Sequence, residues 1–98
     1  MDKIRLKPGQ TIGLLLTPTE REMLAESVPF HDAGLEDKIR QADAGAQEVH
    51  LTLPELKGLG GCIAAQIKRT ERDRKLGVRL NRVWLRIVEV EKMFEEAH

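Results

Sequence analysis

The chain has 98 residues, of which 41% are hydrophobic and 33% are charged. This length and composition predict one folded domain over residues 1–98, and they exclude a disordered chain. Sixteen basic and sixteen acidic residues leave no net charge, so no overall field attracts nucleic acid or a membrane surface.

The first predicted unit is a strand over residues 11–16 that leads into a helix over residues 18–27. Thr17 and Glu20 have the spacing of a capping box, in which each side chain accepts a hydrogen bond from the other residue's backbone N–H. Pro18 fits the first helical position, where no backbone N–H is needed. Pro29 ends the helix. Its expected core-facing residues are Met23, Leu24 and Val28.

A second, shorter helix is predicted over residues 35–42. Leu35, Ile39 and Ala42 fall on one face at helical spacing. Asp32 is the expected N-cap and Gly45 the expected end of this helix.

The strand-then-helix pattern occurs a second time, with a strand over residues 48–51. Thr52 and Glu55 form the second predicted capping box, and Leu51 and Leu56 have the positions of a hydrophobic staple. The helix that follows should extend to about Thr70. Its apolar positions are Leu56, Leu59, Ile63 and Ile67.

The longest helix is predicted over residues 73–95. Gly77 weakens its beginning and could move the start toward Val78. The apolar positions follow alternating steps of four and three, which is typical of a long packed helix. They are Leu76, Leu80, Val83, Ile87, Val90 and Phe94. The sequence therefore predicts a mostly α domain of about four helices, with a minimal two-stranded sheet from the two strands.

Parts of the chain resemble a small uncharacterised bacterial helical domain found in plasmid open-reading-frame-like proteins. The similarity covers Leu51–Leu56, Leu59, Cys62–Ala65, Asp73–Leu76 and Leu80, and the earlier segment from Leu16 to Glu22. The family implies a helical fold, no known activity and no functional residues.

Glycines at the start of the third helix invite comparison with a phosphate-binding loop. Such loops lie between a strand and a helix, whereas the capping box places these glycines inside the helix. We therefore expect a packing role, with a smooth strip against which another helix lies. The strip is Gly58, Gly61, Cys62 and Ala65.

No group of residues has the pattern of a catalytic or metal site. Cys62 is expected to be a small buried hydrophobe, since a Cys62–His50 pair lacks other activating features. His31 and Asp32 are too few to hold zinc, which needs three or four ligands. We expect no enzyme activity, no metal and no cofactor.

Charge is strongly segregated along the chain. Residues 68–86 carry eight basic and two acidic residues, whereas residues 18–67 carry nine acidic and four basic ones. Four basic residues form a stripe on the last helix with steps of four, three and four: Lys75, Arg79, Arg82 and Arg86. The stripe could contact phosphates or a partner, or pair with the acidic first and second helices. We favour pairing.

The apolar surface of the last helix extends beyond its core-facing positions. Trp84, Leu85 and Val88 widen it around the helix, and a second copy of the chain could cover them. We therefore expect a small non-enzymatic interaction or regulatory module that self-associates or binds another protein, with nucleic-acid binding through the stripe as the alternative. With one cysteine and no apolar run of membrane length, we expect a cytoplasmic protein without a membrane partner.

Overall fold

The computed structural model describes residues 3–30, 32–41 and 48–96, without the side chains of residues 41 and 96. It confirms a mostly α fold in which the predicted strands pair as a small antiparallel sheet. The elements in chain order are β1 (Ile4–Leu6), β2 (Thr11–Leu15), α1 (Pro18–Ser27), α2 (Ala33–Gln41), β3 (Glu48–Thr52), α3 (Leu53–Arg69), α4 (Arg74–Glu91) and β4 (Phe94–Glu96).

Both predicted capping boxes are formed, and they set where α1 and α3 begin. The Thr17 hydroxyl accepts from the Glu20 N–H at 3.1 Å, and the Glu20 carboxylate accepts from the Thr17 N–H at 3.0 Å. The corresponding distances for Thr52 and Glu55 are 3.3 and 2.9 Å. Each box satisfies two backbone donors that an uncapped helix leaves open.

The antiparallel pairing of β2 with β3 builds one wall of the core. Ile12 lies opposite Leu51 and Leu14 opposite Val49, and all four are buried. Strand side chains alternate between the two faces, so one face carries the buried residues. The strand ends differ slightly from the prediction, because Leu16 lies beyond β2 while β3 includes Thr52.

The second helix begins two residues earlier than predicted. The Asp32 carboxylate accepts from the backbone N–H groups of Gly34 and Leu35 at 2.9 and 3.3 Å, which supports the expected capping role. Leu35 and Ile39 are buried as expected. The predicted contributions of residues 42 and 45 lie outside the described residues.

The last helix begins where it was predicted to begin, but it ends earlier. Asp73 caps α4 by accepting from the Leu76 N–H at 3.1 Å, so the helix begins at Arg74 and passes through Gly77. It ends at Glu91, and Phe94 belongs to β4. Parallel pairing of β4 with β1 satisfies backbone groups in this segment, beginning with Ile4 N–H to Met93 O at 2.8 Å. The β1–β4 pair was not predicted.

The predicted glycine strip on α3 was also wrong. Gly58, Gly61 and Ala65 are exposed, and a Cβ added at Gly58 or Gly61 would meet nothing within 4 Å. Gly60 makes the close approach instead, since a Cβ there would lie 3.3 Å from Ile87 Cγ2. Gly60 therefore lets α3 and α4 pack closely.

Within the described residues, one core joins helices α1 to α4 and the β2–β3 sheet. Helix α1 contributes Met23 and Leu24, and it also buries Arg21, whose exposed fraction is 5%. The fully buried large side chains are Leu14, Leu16, Leu24, Ile39, Leu51, Leu56, Leu59, Ile63, Leu80, Val83 and Ile87.

Candidate interaction surface on the fourth helix

The surface candidates lie on two flanks of α4, on either side of its buried face. Leu80, Val83 and Ile87 form that buried face. Successive residues turn about 100° around a helix, which places the two sets of side chains on different sides of α4, with Val78 and Leu85 directed away from the buried face. The basic flank is Lys75, Arg79, Arg82 and Arg86, and the apolar flank is Val78, Trp84, Leu85 and Val88.

On the basic flank, Arg86 is bound within the domain. Its Nη1 donates to the Leu15 carbonyl oxygen and to Glu20 Oε1, both at 2.8 Å. Glu20 belongs to the first capping box, so Arg86 connects α4 to the end of β2 and the start of α1. This contact supports the predicted pairing of the stripe with the acidic first helix for this residue.

The surroundings of Glu20 favour its charged form. Burial alone would raise the pKa of Glu20, but hydrogen bonds from Arg86 and from Thr17, together with the charge of Arg86, hold that pKa below its ordinary value. The carboxylate is thus used twice, as part of a helix cap and as a partner for Arg86.

Glu55 repeats this arrangement in the second capping box. Lys38 Nζ on α2 donates to Glu55 Oε1 at 2.6 Å. Burial would raise the pKa of Glu55, but the hydrogen bonds from Lys38 and Thr52 lower it below its ordinary value. Each capping-box glutamate therefore also binds another helix: Glu20 binds Arg86 of α4, and Glu55 binds Lys38 of α2.

The other members of the basic flank are more open. Lys75, Arg79 and Arg82 are exposed, and none forms an ion pair with a side chain in the described ranges. Arg79 lines a groove against α1 together with the acidic residues Glu22 and Glu26.

The apolar flank faces solvent over much of its length. Val78 is 55% exposed and Leu85 is 48% exposed, while Trp84 and Val88 are half-buried. Trp84 packs partly against the core. The structure thus brings the three residues predicted for self-association, Trp84, Leu85 and Val88, onto one surface. It adds Val78, which the sequence analysis missed although it lies seven residues before Leu85.

Grooves beside the apolar flank have mixed lining. A groove of 250 Å³ lies between α3 and α4, and a larger one of 510 Å³ shares Lys57, Val88 and Glu91 with it. The larger groove presents Lys3, Lys57 and Lys92 but also Glu91 and Glu95. These opposite charges select neither an anion nor a cation.

Among the described residues, Cys62 and His50 form no hydrogen bond with each other. Cys62 is half-buried at the edge of the core, less buried than expected. His50 is exposed, with Nε2 3.9 Å from Glu48 Oε2. His31 lies outside the described residues. Among residues 3–30, 32–41 and 48–96, no three His, Cys, Asp or Glu side chains cluster as metal ligands.

Two further findings concern membrane-spanning helices and similarity to known proteins. In the described part of the chain, no helix combines the length and apolar character needed to cross a membrane. Comparison with protein-family models, curated proteins and solved structures finds no match to this chain. The resemblance to the plasmid-associated helical domain therefore stays a prediction.

Proposed function

We propose that the protein is a non-enzymatic interaction module that self-associates through the apolar flank of α4. The observation that carries this proposal is the half-exposed pair Val78 and Leu85, which extends the surface formed by Trp84 and Val88. Exposed apolar residues are ordinary when scattered, but a contiguous set on one helix is typical of an interaction site.

The size of the flank suits a small homodimer. An 18-residue helix is about 27 Å long. Full burial of a Val or Leu side chain contributes about 1.5–3 kcal/mol, and a twofold contact uses each residue twice. Charged side chains border the flank on both sides, Arg82 next to Val78 and Glu91 next to Trp84 and Val88, and they supply the polar rim that protein interfaces have.

Trp84 gives a direct test, because it is the chain's one tryptophan. Indole emission moves to shorter wavelength when the ring leaves water. We expect the emission maximum to move to longer wavelength when the protein is diluted from tens of micromolar to well below one micromolar. An emission maximum that does not change with concentration would contradict the proposal.

Two matched substitutions control the test. Leu85→Glu places a charge on the apolar flank and should abolish the concentration dependence. Leu15→Glu changes a leucine of similar exposure, 57%, on β2 away from the flank, and should retain it. Equal loss in both variants would mean that general destabilisation, rather than the flank, explains the effect.

Nucleic-acid binding through the basic flank is the second candidate, favoured by the exposure of Lys75 and Arg82. Its support is smaller, because Arg86 is bound to Glu20 and Arg79 lies near acidic residues of α1. A few phosphate contacts give weak, salt-sensitive binding. Duplex binding that survives physiological salt and prefers one sequence would place this function first.

A cytoplasmic location and a bacterial origin complete the proposal. Cys62 is the chain's one cysteine, which fits a reducing compartment where stabilising disulfides are rare. The bacterial origin rests on the resemblance alone.

A further inference from the structure

Charge divides the hairpin of α3 and α4 into two unlike ends. The turn between the helices and the first half of α4, residues 68–82, carry seven basic and two acidic residues. The far end, residues 87–95, carries Glu89, Glu91 and Glu95 against Lys92. One end of α4 is therefore basic and the other acidic.

These ends act separately in solution. The nearest charged residues of the two ends, Arg82 and Glu89, are seven residues apart on α4, about 10 Å along its axis. Salt screens exposed charges beyond about 8 Å at physiological ionic strength. In a dimer, each end therefore interacts with the part of the other copy placed beside it, not with the neutral whole.

From this distribution we propose that two copies pair their α4 helices antiparallel across a twofold axis, an inference that rests on the proposed function. A parallel pair would bring the two basic ends together. The antiparallel pair places each basic end beside the acidic end of the other copy. It also aligns the two helix dipoles favourably, since opposite helix termini become neighbours.

The spacing of one row of residues along α4 suits an antiparallel pair of helices. Val78, Asn81, Leu85 and Val88 follow steps of three, four and three, which read the same in both directions. Asn81 is exposed, as are Val78 and Leu85. Superposing this row on its reversed copy sets Val78 opposite Val88 of the partner subunit and Asn81 opposite Leu85 of the partner subunit. The steps are those of a short coiled-coil seam.

Cysteine cross-linking distinguishes the two orientations. The background variant is Cys62→Ala, which removes the chain's one cysteine. Val78→Cys and Val88→Cys are added to it in separate proteins, which are oxidised alone and after mixing. A disulfide needs Cα atoms within about 7 Å. In the antiparallel pair, two copies of position 78 are offset along the helices by ten residues, about 15 Å.

We expect efficient disulfide formation only in the mixture, at least tenfold above either protein alone. Efficient cross-linking of Val78→Cys alone would establish the parallel orientation and overturn the inference while leaving self-association intact. A dimeric background protein that cross-links in neither experiment would show that another surface makes the contact. A monomeric background, together with a monomeric unmodified chain, would overturn the proposed function itself.

Discussion

The two flanks of α4 differ in how far the rest of the domain binds or covers them. The basic flank has the clearer pattern in the sequence, yet part of it is bound within the domain. Arg86 donates hydrogen bonds to Glu20 and to the Leu15 carbonyl oxygen. The apolar flank is less conspicuous, yet Val78 and Leu85 are left half exposed. The difference arises from neighbours. Helix α1 supplies acidic partners on one side, whereas small residues of α3, Gly61 and Ala64, line the groove on the other.

The largest expected effect comes from the buried face that both flanks share. Ile87 is fully buried and lies against Gly60, so Ile87→Ala should lower the free energy of unfolding by about 2–5 kcal/mol. Leu85→Ala, two residues away on the apolar flank, should change it by about 0.5 kcal/mol or less in dissociated protein. Urea unfolding at low protein concentration measures both, and similar losses would contradict the assignment of Leu85 to the surface.

A smaller effect is expected where α3 approaches α4. Gly60→Leu places a side chain against Ile87, and overpacking of this kind costs about 1–3 kcal/mol. Gly58→Leu is the matched control, because a Cβ at Gly58 meets nothing within 4 Å and glycine is a poor helix former. We expect the control to be as stable as the unmodified chain or more so in thermal unfolding. Loss of stability in Gly58→Leu but not in Gly60→Leu would mean that Gly58, rather than Gly60, lies against α4.

The smallest of these effects concerns the basic flank. Arg86→Ala removes hydrogen bonds to Leu15 and Glu20 and should lower stability by about 1–2 kcal/mol, a range reduced for partial exposure. Arg82→Ala, on the same flank without a described ion pair, should stay within about 0.5 kcal/mol. Denaturant unfolding of the two variants compares them directly. Equal effects would mean that Arg86 contributes no more than any surface arginine.

The same contact gives a pH dependence with a defined sign. The pKa of Glu20 is lower in the folded chain than its ordinary value, so its contribution is present above that ordinary value and is lost as the pH falls through the lower folded pKa. In Arg86→Ala the folded pKa lies closer to the ordinary value. Its unfolding free energy should therefore fall less steeply in acid than that of the unmodified chain.

Local signals in the sequence predicted much of the fold. Thr17 and Thr52 with their glutamates fixed the starts of α1 and α3, because a capping box needs only residues three apart. The β1–β4 pair could not be found this way, since Ile4 and Phe94 meet across nearly the whole chain. The last helix was predicted to extend beyond Glu91 because Phe94 fits the same helical spacing as the residues before it.

The candidate surface was predicted only in part, for similar reasons. Helical spacing grouped Trp84, Leu85 and Val88 correctly on one side of α4. It could not show that Gly60, rather than Gly58 or Gly61, meets Ile87, because that depends on how α3 is rotated against α4. Nor could it show that Arg86 reaches a carboxylate 66 residues away along the chain.

Self-association through the apolar flank of α4 predicts a dimer of the chain in solution. Light scattering after size-exclusion chromatography measures the mass directly, at concentrations up to tens of micromolar and at physiological salt. We expect a mass of two 11.1 kDa chains for the unmodified protein and of one chain for Leu85→Glu. A mass of one chain for the unmodified protein throughout this range would contradict it.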